Sequence, residues 1–333
     1  MLFRHFRRSG GRAPDLARNT PQRYLRKHMS SAKSKNSNIG VFVVPPTRHS
    51  REGYEGLFRF WSAIRENTPK EVILSFKGCN YLGPEAVAFL GGVVRKLQAD
   101  GHLVTFRRET LMPALKASLI GNGFLSAFQL HAHKRSKNSV PFQEHKTRDH
   151  IGFVKYLEEY LFGNNWVHLS EELQGAVVSK LCEAYLNVFE HSQSSVGLFC
   201  CGQHFPGKRQ LRFSLVDFGV GIANNVRRFS EHVHKKPAAG LRADVCLKWA
   251  FQAGATTQSG GRGLGLDLIR NFVHVNDGSL NMYSHEGFAL ANKEGLFFDS
   301  RTVYFEGTLV SILLQCDGKF YQLASETNPV FHL

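Results

Sequence analysis

No run of 18 apolar residues occurs in this 333-residue chain, so nothing in it reads as a membrane-spanning helix. Its six cysteines, Cys79, Cys182, Cys200, Cys201, Cys246 and Cys316, show no zinc-type spacing. Most sit in apolar runs, which points to buried free thiols in a reducing, cytoplasmic setting. No internal repeat is found. Acidic residues are scarce at the start: residues 1–36 hold one, Asp15, against ten Lys/Arg. Ten minus one gives +9 of the net +15, leaving +6 for the other 297 residues. The body of the chain therefore lacks the basic-aromatic surface of a nucleic-acid reader, and nucleic acid is expected only through the tail, if at all. Residues 1–37 read as a disordered basic tail. The segment also superficially fits a transit peptide, and translation from Met29 is a third alternative.

What is present is ordinary globular material, 42% apolar with 27 Phe, long enough for two cores. Residues 40–44, 72–76 and 103–106 are apolar strands. Between them lie helical patterns, one carrying Leu57, Phe60, Trp61 and Ile64 and one opening at Pro84 and closed by Gly101. A short helix over 111–119 follows. Alternating strand and helix predict an α/β layer domain over 38–130. Residues 131–149 are polar and basic without a period and read as a linker. From 150 the pattern changes: helices at 150–162 and 170–191, strands at 196–202 and 210–216, and a loop-rich stretch over 218–262 with a helix near 242–253. A helix over 264–276 and strands near 279–284 and 307–315 complete it. That order predicts helices on one face of a mixed sheet over 150–318, followed by a C-terminal tail, 319–333.

Three short blocks in the second region carry chemistry. In Glu183-Ala-Tyr-Leu-Asn187, the carboxylate and the amide are four apart on one helix face. A carboxylate can orient or deprotonate an attacking water, and an amide oxygen is a hard ligand suited to Mg²⁺. In Asp217-Phe-Gly-Val-Gly221, an acid ends an apolar strand, and Gly219 and Gly221 permit close backbone approach. In Gly260-Gly-Arg-Gly-Leu-Gly265, glycines lead into a helix N-terminus, an anion site. No Gly-Lys-Ser/Thr follows, so it is not a P-loop, and no strand leads directly into it, as a dinucleotide fingerprint requires. Taken singly, these blocks are a solvated helix face, a strand end and a glycine-rich loop.

Together, in this order and spacing, they resemble the GHKL superfamily, the ATP-binding (Bergerat) domain shared by gyrase, sensor histidine kinases and anti-sigma-factor kinases. Residues 180–191 resemble its N-box, 217–222 its G1 box, 262–266 its G2 box and 307–312 its final strand. The resemblance implies an α/β sandwich binding ATP and Mg²⁺. Asn187 would hold the metal, and Glu183 would be the general base. Asp217 would accept from the adenine amino group, with Gly219 and Gly221 shaping that wall. Gly263, Leu264 and Gly265 would meet the phosphates, with Arg262 and Thr308 as further contacts. Residues 223–261 would be a lid over the nucleotide, including Thr256–Gly261, Lys235 and Lys236. No long helical hairpin with a phospho-accepting His precedes the N-box, which argues against a sensor kinase.

Residues 71–128 resemble the STAS domain of anti-sigma-factor antagonists. The family's phosphorylated serine run is replaced here by Gly83-Pro-Glu-Ala86, so no phospho-switch is expected there. Glu85 as a fixed charge mimic is one alternative, and helix-start dipole compensation is the other. The implied protein is an ATP- and Mg²⁺-binding regulator with a protein partner through its STAS-like domain; a homodimer is common in the superfamily. It would hydrolyse ATP or phosphorylate a Ser/Thr of that partner. The alternatives are a non-catalytic, ATP-dependent conformational switch and a nucleic-acid-associated ATPase using the basic tail.

Overall fold

The computed structural model describes residues 38–67, 69–132, 134–235, 237–252 and 266–327. The expectations for the basic tail, Lys236, Thr256–Gly261, Arg262, Gly263, Leu264 and Gly265 lie outside the described residues. By its internal contacts the chain divides into Met1–Ser37 and Asn38–Leu333; the second unit is described below.

Strand β1 (Ile39–Val43), helix α1 (Arg51–Asn67), β2 (Glu71–Ser75), α2 (Pro84–Ala99) and β3 (Leu103–Arg107) come first. The strands pair in parallel in the order β1-β2-β3. Strand alternation turns Phe42, Val72, Leu74 and Phe106 inward and leaves Ile39, Val41 and Leu103 exposed on the other face. Along α1, Tyr54, Leu57, Phe58, Trp61 and Ile64 recur every three or four residues and are buried as one stripe. Short helices α3 (Pro113–Gly121) and α4 (Phe124–Ala127) follow.

The stretch 131–149 is not a bare linker. It contains β4 (Ser139–His145), the edge strand of a five-stranded sheet. Pro141 and a register shift between Val140 and Gln143 hide its alternation from a period-two reading. An edge position tolerates a proline that donates no hydrogen bond, and the Pro141 carbonyl accepts one from the Tyr156 hydroxyl at 2.7 Å. Next come α5 (His150–Tyr156), β5 (His168–Leu169), α6 (Glu171–Asn187), β6 (Leu198–Phe205), β7 (Gln210–Asp217), α7 (Gly221–His234), α8 (Ala243–Ala250) and α9 (Leu266–Val275). Strands β8 (Ser279–Asn292) and β9 (Gly295–Gln315) form a long hairpin, and β10 (Phe320–Tyr321) pairs with β5.

The large sheet runs β4-β6-β7-β9-β8 and is antiparallel at every pairing, not mixed. Its two faces bury different cores. Leu198, Leu215, Leu280 and Ile312 pack beneath α5, α6 and α9. The opposite face, with Phe199, Val216, Tyr283, Phe305 and Leu309, packs against Phe58, Trp61, Phe89 and Val93 of α1 and α2. Helices thus cover both faces, and the first α/β layer shares its core with the sheet. The rings of Phe58 and Phe305 stack with centroids 5.1 Å apart at 3°.

Helix α7 falls within the stretch expected to be loop-rich. Its N-terminus carries no side-chain cap from its own sequence. Instead the Ile222 N–H donates to Ser284 Oγ, 2.9 Å away on β8, so a tertiary contact completes the turn that the local sequence leaves open. Glu85, at the start of α2, is wholly buried, and neither carboxylate oxygen has a hydrogen-bond partner among the described residues. Burial pushes its carboxyl up to about 7. A group so enclosed displays no charge to a partner, which overturns the charge-mimic reading.

Candidate functional site

Asp217 ends β7 with 3% of its surface exposed. Its register partner across the sheet is Thr308 on β9, and Thr308 is in turn opposite Ser284 on β8. A polar row, Asp217–Thr308–Ser284, therefore closes this end of an otherwise apolar face. Asp217 Oδ1 accepts from the Gly219 N–H at 2.8 Å, and the hydroxyl and N–H of the neighbouring Thr308 favour its charged form. Burial outweighs these donors and raises the carboxyl to about 6; the nearby Glu306 charge pushes the same way.

The turn after Asp217 is held through its own backbone groups, by one carbonyl and by side chains. The Val220 N–H donates to the Ser192 carbonyl at 2.7 Å, and His285 Nε2 lies 2.9 Å from the Val220 oxygen. Arg227 Nη1 is 3.0 Å from His285 Nδ1. An arginine cannot accept, so Nδ1 is the acceptor and Nε2 carries the proton. Burial lowers the His285 pKa, in keeping with that neutral ring. Gly221 has φ +71°, a left-handed backbone that a side chain would strain. At Gly307, between Glu306 and Thr308, a Cβ would overlap the Asp217 carbonyl oxygen, so the two strands can meet here only through glycine.

Helix α6 supplies the other two candidates. Ser170 caps its N-terminus by accepting from the Leu173 N–H at 3.1 Å, with Glu171 and Glu172 in the first turn. The helix passes at Asn187 into a π turn, Val188–Ser192, the wide turn that often marks functional positions. Ser192, at the end of that turn, grips the Asp217–Gly221 turn through its carbonyl. Asn225 Nδ2 on α7 adds a bond to the His191 carbonyl at 3.1 Å. The segment bearing Asn187 is thereby tied to the one bearing Asp217.

Asn187 is half-buried, and its Nδ2 is shielded without a partner among the described residues. A donor nitrogen left without a partner awaits an acceptor, and only the other end of the amide, Oδ1, could face a cation. No group of three or more His, Cys, Asp or Glu converges among the described residues, but Mg²⁺ keeps most of its waters and needs few protein ligands. Glu183 is half-exposed and paired, its Oε1 2.7 Å from Lys180 Nζ. Ser192, Ser284, Asn225 and His285 belong to the site but were not singled out from the sequence. Isolated serines carry no local signal, and their roles appear only once β8, β9 and the π turn are in register.

A comparison with protein-family models finds no match. A comparison with curated proteins finds none either.

Proposed function

We propose that this chain is a nucleotide-dependent regulator that binds Mg·ATP against Asp217. The observation carrying the proposal is a buried carboxylate at the end of the β7–β9 pair, with no cation hydrogen-bonded to it among the described residues and glycine backbone closing over it. An ionised carboxylate in such a place calls for a neutral donor, and the exocyclic amine of adenine is one. A ligand lacking that donor would leave the carboxylate unpaired, which makes the site selective. Asn187 would hold Mg²⁺ through its side-chain oxygen, and the ion would supply charge neutralisation at the phosphates. Gly219 and Gly221 keep the wall beside the base free of side chains. The Gly219 N–H holds the carboxylate in one orientation, so little reorganisation remains when a ligand arrives.

A second reading is favoured by one contact. Lys180 engages Glu183 at 2.7 Å, so the ion pair must open before the carboxylate can act as a base. Under that reading ATP is a conformational ligand, and the output is a change in partner binding. The GHKL-type sandwich, the STAS-like character of residues 38–130, the protein partner and a reducing cytoplasmic location all belong to the proposal; five buried free cysteines are compatible with the last.

Calorimetric titration with Mg·ATP tests the core claim. Micromolar affinity is expected, and Asp217→Asn should weaken it by about 10- to 100-fold, the cost of mispairing a buried donor. Equal affinity in the variant would sink the assignment. Labelled ATP then separates the readings: release or transfer of phosphate that Glu183→Ala abolishes supports catalysis, and binding with neither supports the switch.

A further inference from the structure

We infer that Trp61 and Glu306 are positioning residues for the Asp217 pocket, and that through them helix α1 sets how readily the pocket takes its ligand. The inference rests on the nucleotide reading above for the identity of that ligand, but the contacts on which it stands do not. Trp61 is 2% exposed. Its indole Nε1 donates to Glu306 Oε1 at 2.8 Å, and its ring meets that of Phe218 edge-on, centroids 5.6 Å apart at 88°. Phe218 directly follows Asp217. Glu306 lies two residues before Thr308, the register partner of Asp217. One side chain of the first layer thus touches both strands of the pocket, immediately beside the paired residues.

The electrostatics give the contact a direction. Arg65, one turn further along α1, places Nη1 3.2 Å from the same Glu306 oxygen. Glu306 Oε2 is buried and has no partner among the described residues. The Glu306 charge is therefore held at one oxygen by two donors, both from α1. Released, it would act more strongly on Asp217, since like charges favour the protonated form of a neighbouring acid. Among the described residues, Glu306 also acts on His285 of β8 and Tyr304 of β9, two groups that Arg227 of α7 and Glu286 of β8 act on as well, with Arg65 of α1 joining them at Tyr304. Of these, Arg65 has an ion pair to Glu306. A partner that shifted α1 would loosen this anchor and weaken ligand binding without entering the pocket, and the ligand would by reciprocity act on α1.

The test compares wild type, Trp61→Phe, Glu306→Gln and the double variant. Mg·ATP affinity is measured across pH, and the Asp217 carboxyl is titrated by NMR without nucleotide. Trp61→Phe should raise the Asp217 midpoint and weaken binding on the order of threefold near pH 6, with little change near pH 8. Glu306→Gln keeps an acceptor for the indole but removes the charge, so it should lower the midpoint, and the double variant should behave as Glu306→Gln does, without the loss near pH 6. A pH-independent loss in Trp61→Phe that Glu306→Gln does not rescue would mean a merely structural role and overturn the inference. If Trp61→Phe does not fold, Glu306→Gln alone decides: an unmoved Asp217 midpoint overturns it. If wild type itself does not bind nucleotide, the nucleotide reading fails, and the NMR midpoints still decide the coupling.

Discussion

Glu85 and Asp217 are both enclosed carboxyls, raised to about 7 and about 6 by burial, and the sign of their pH response follows. A folded-state pKa above the unfolded one imposes no cost below the unfolded value, and the full cost appears above the folded one. Stability should therefore fall as pH rises from about 4.5 to about 7 through Glu85. Glu85→Gln should remove on the order of 3 kcal/mol of that loss at pH 8 and none at pH 4. Urea unfolding at the two pH values checks it; equal differences at both would show that the carboxyl is solvated. For Asp217 the same shift has a functional face. Nucleotide affinity should decline as pH falls through about 6, because the acceptor is lost by protonation, and a flat profile in calorimetry would count against an ionised acceptor. Asp217 was legible in the sequence because an acid ending an apolar strand before two glycines is conspicuous. Glu85 was legible only as a helix-start acid. Its burial depends on the sheet that arrives more than a hundred residues later in the chain.

At the scale of elements, local signals succeeded where the sequence completes its own caps. Helix α6 has Ser170 and two acids, α2 has Pro84, the strand around Val72 has an unbroken apolar centre, and the one around Phe213 alternates apolar with polar residues. They failed where completion comes from elsewhere. Helix α7 borrows Ser284 from β8, and β4 carries a proline that only an edge position permits. Ser284→Ala should therefore cost about 1 kcal/mol, the usual value of a lost cap. It should speed hydrogen exchange in the first turn of α7 while leaving α6 unchanged. Equal acceleration in both helices would show that Ser284 acts through general stability and not as a remote cap.

At the scale of the whole molecule, the shared core joins what the sequence presented as two domains across a linker. Phe305, on β9, lies against Phe58 and Phe89 of the first layer. Phe305→Ala should cost about 3–5 kcal/mol and lower one unfolding transition seen alike by probes in both layers. Two separated transitions would restore the picture of independent domains. Residues 38–130 expressed alone should give a poorly dispersed NMR spectrum, since Phe58, Trp61 and Phe89 would lose the sheet that covers them. The same arrangement has a consequence for biosynthesis. Emerging from the ribosome, the first layer must wait for Phe305 and Leu309, about 180 residues later, or about 10–40 s at ordinary elongation rates. For that interval a broad aromatic surface stands open to chaperones, so translation speed and chaperone supply would govern the yield of native protein as much as its equilibrium stability does.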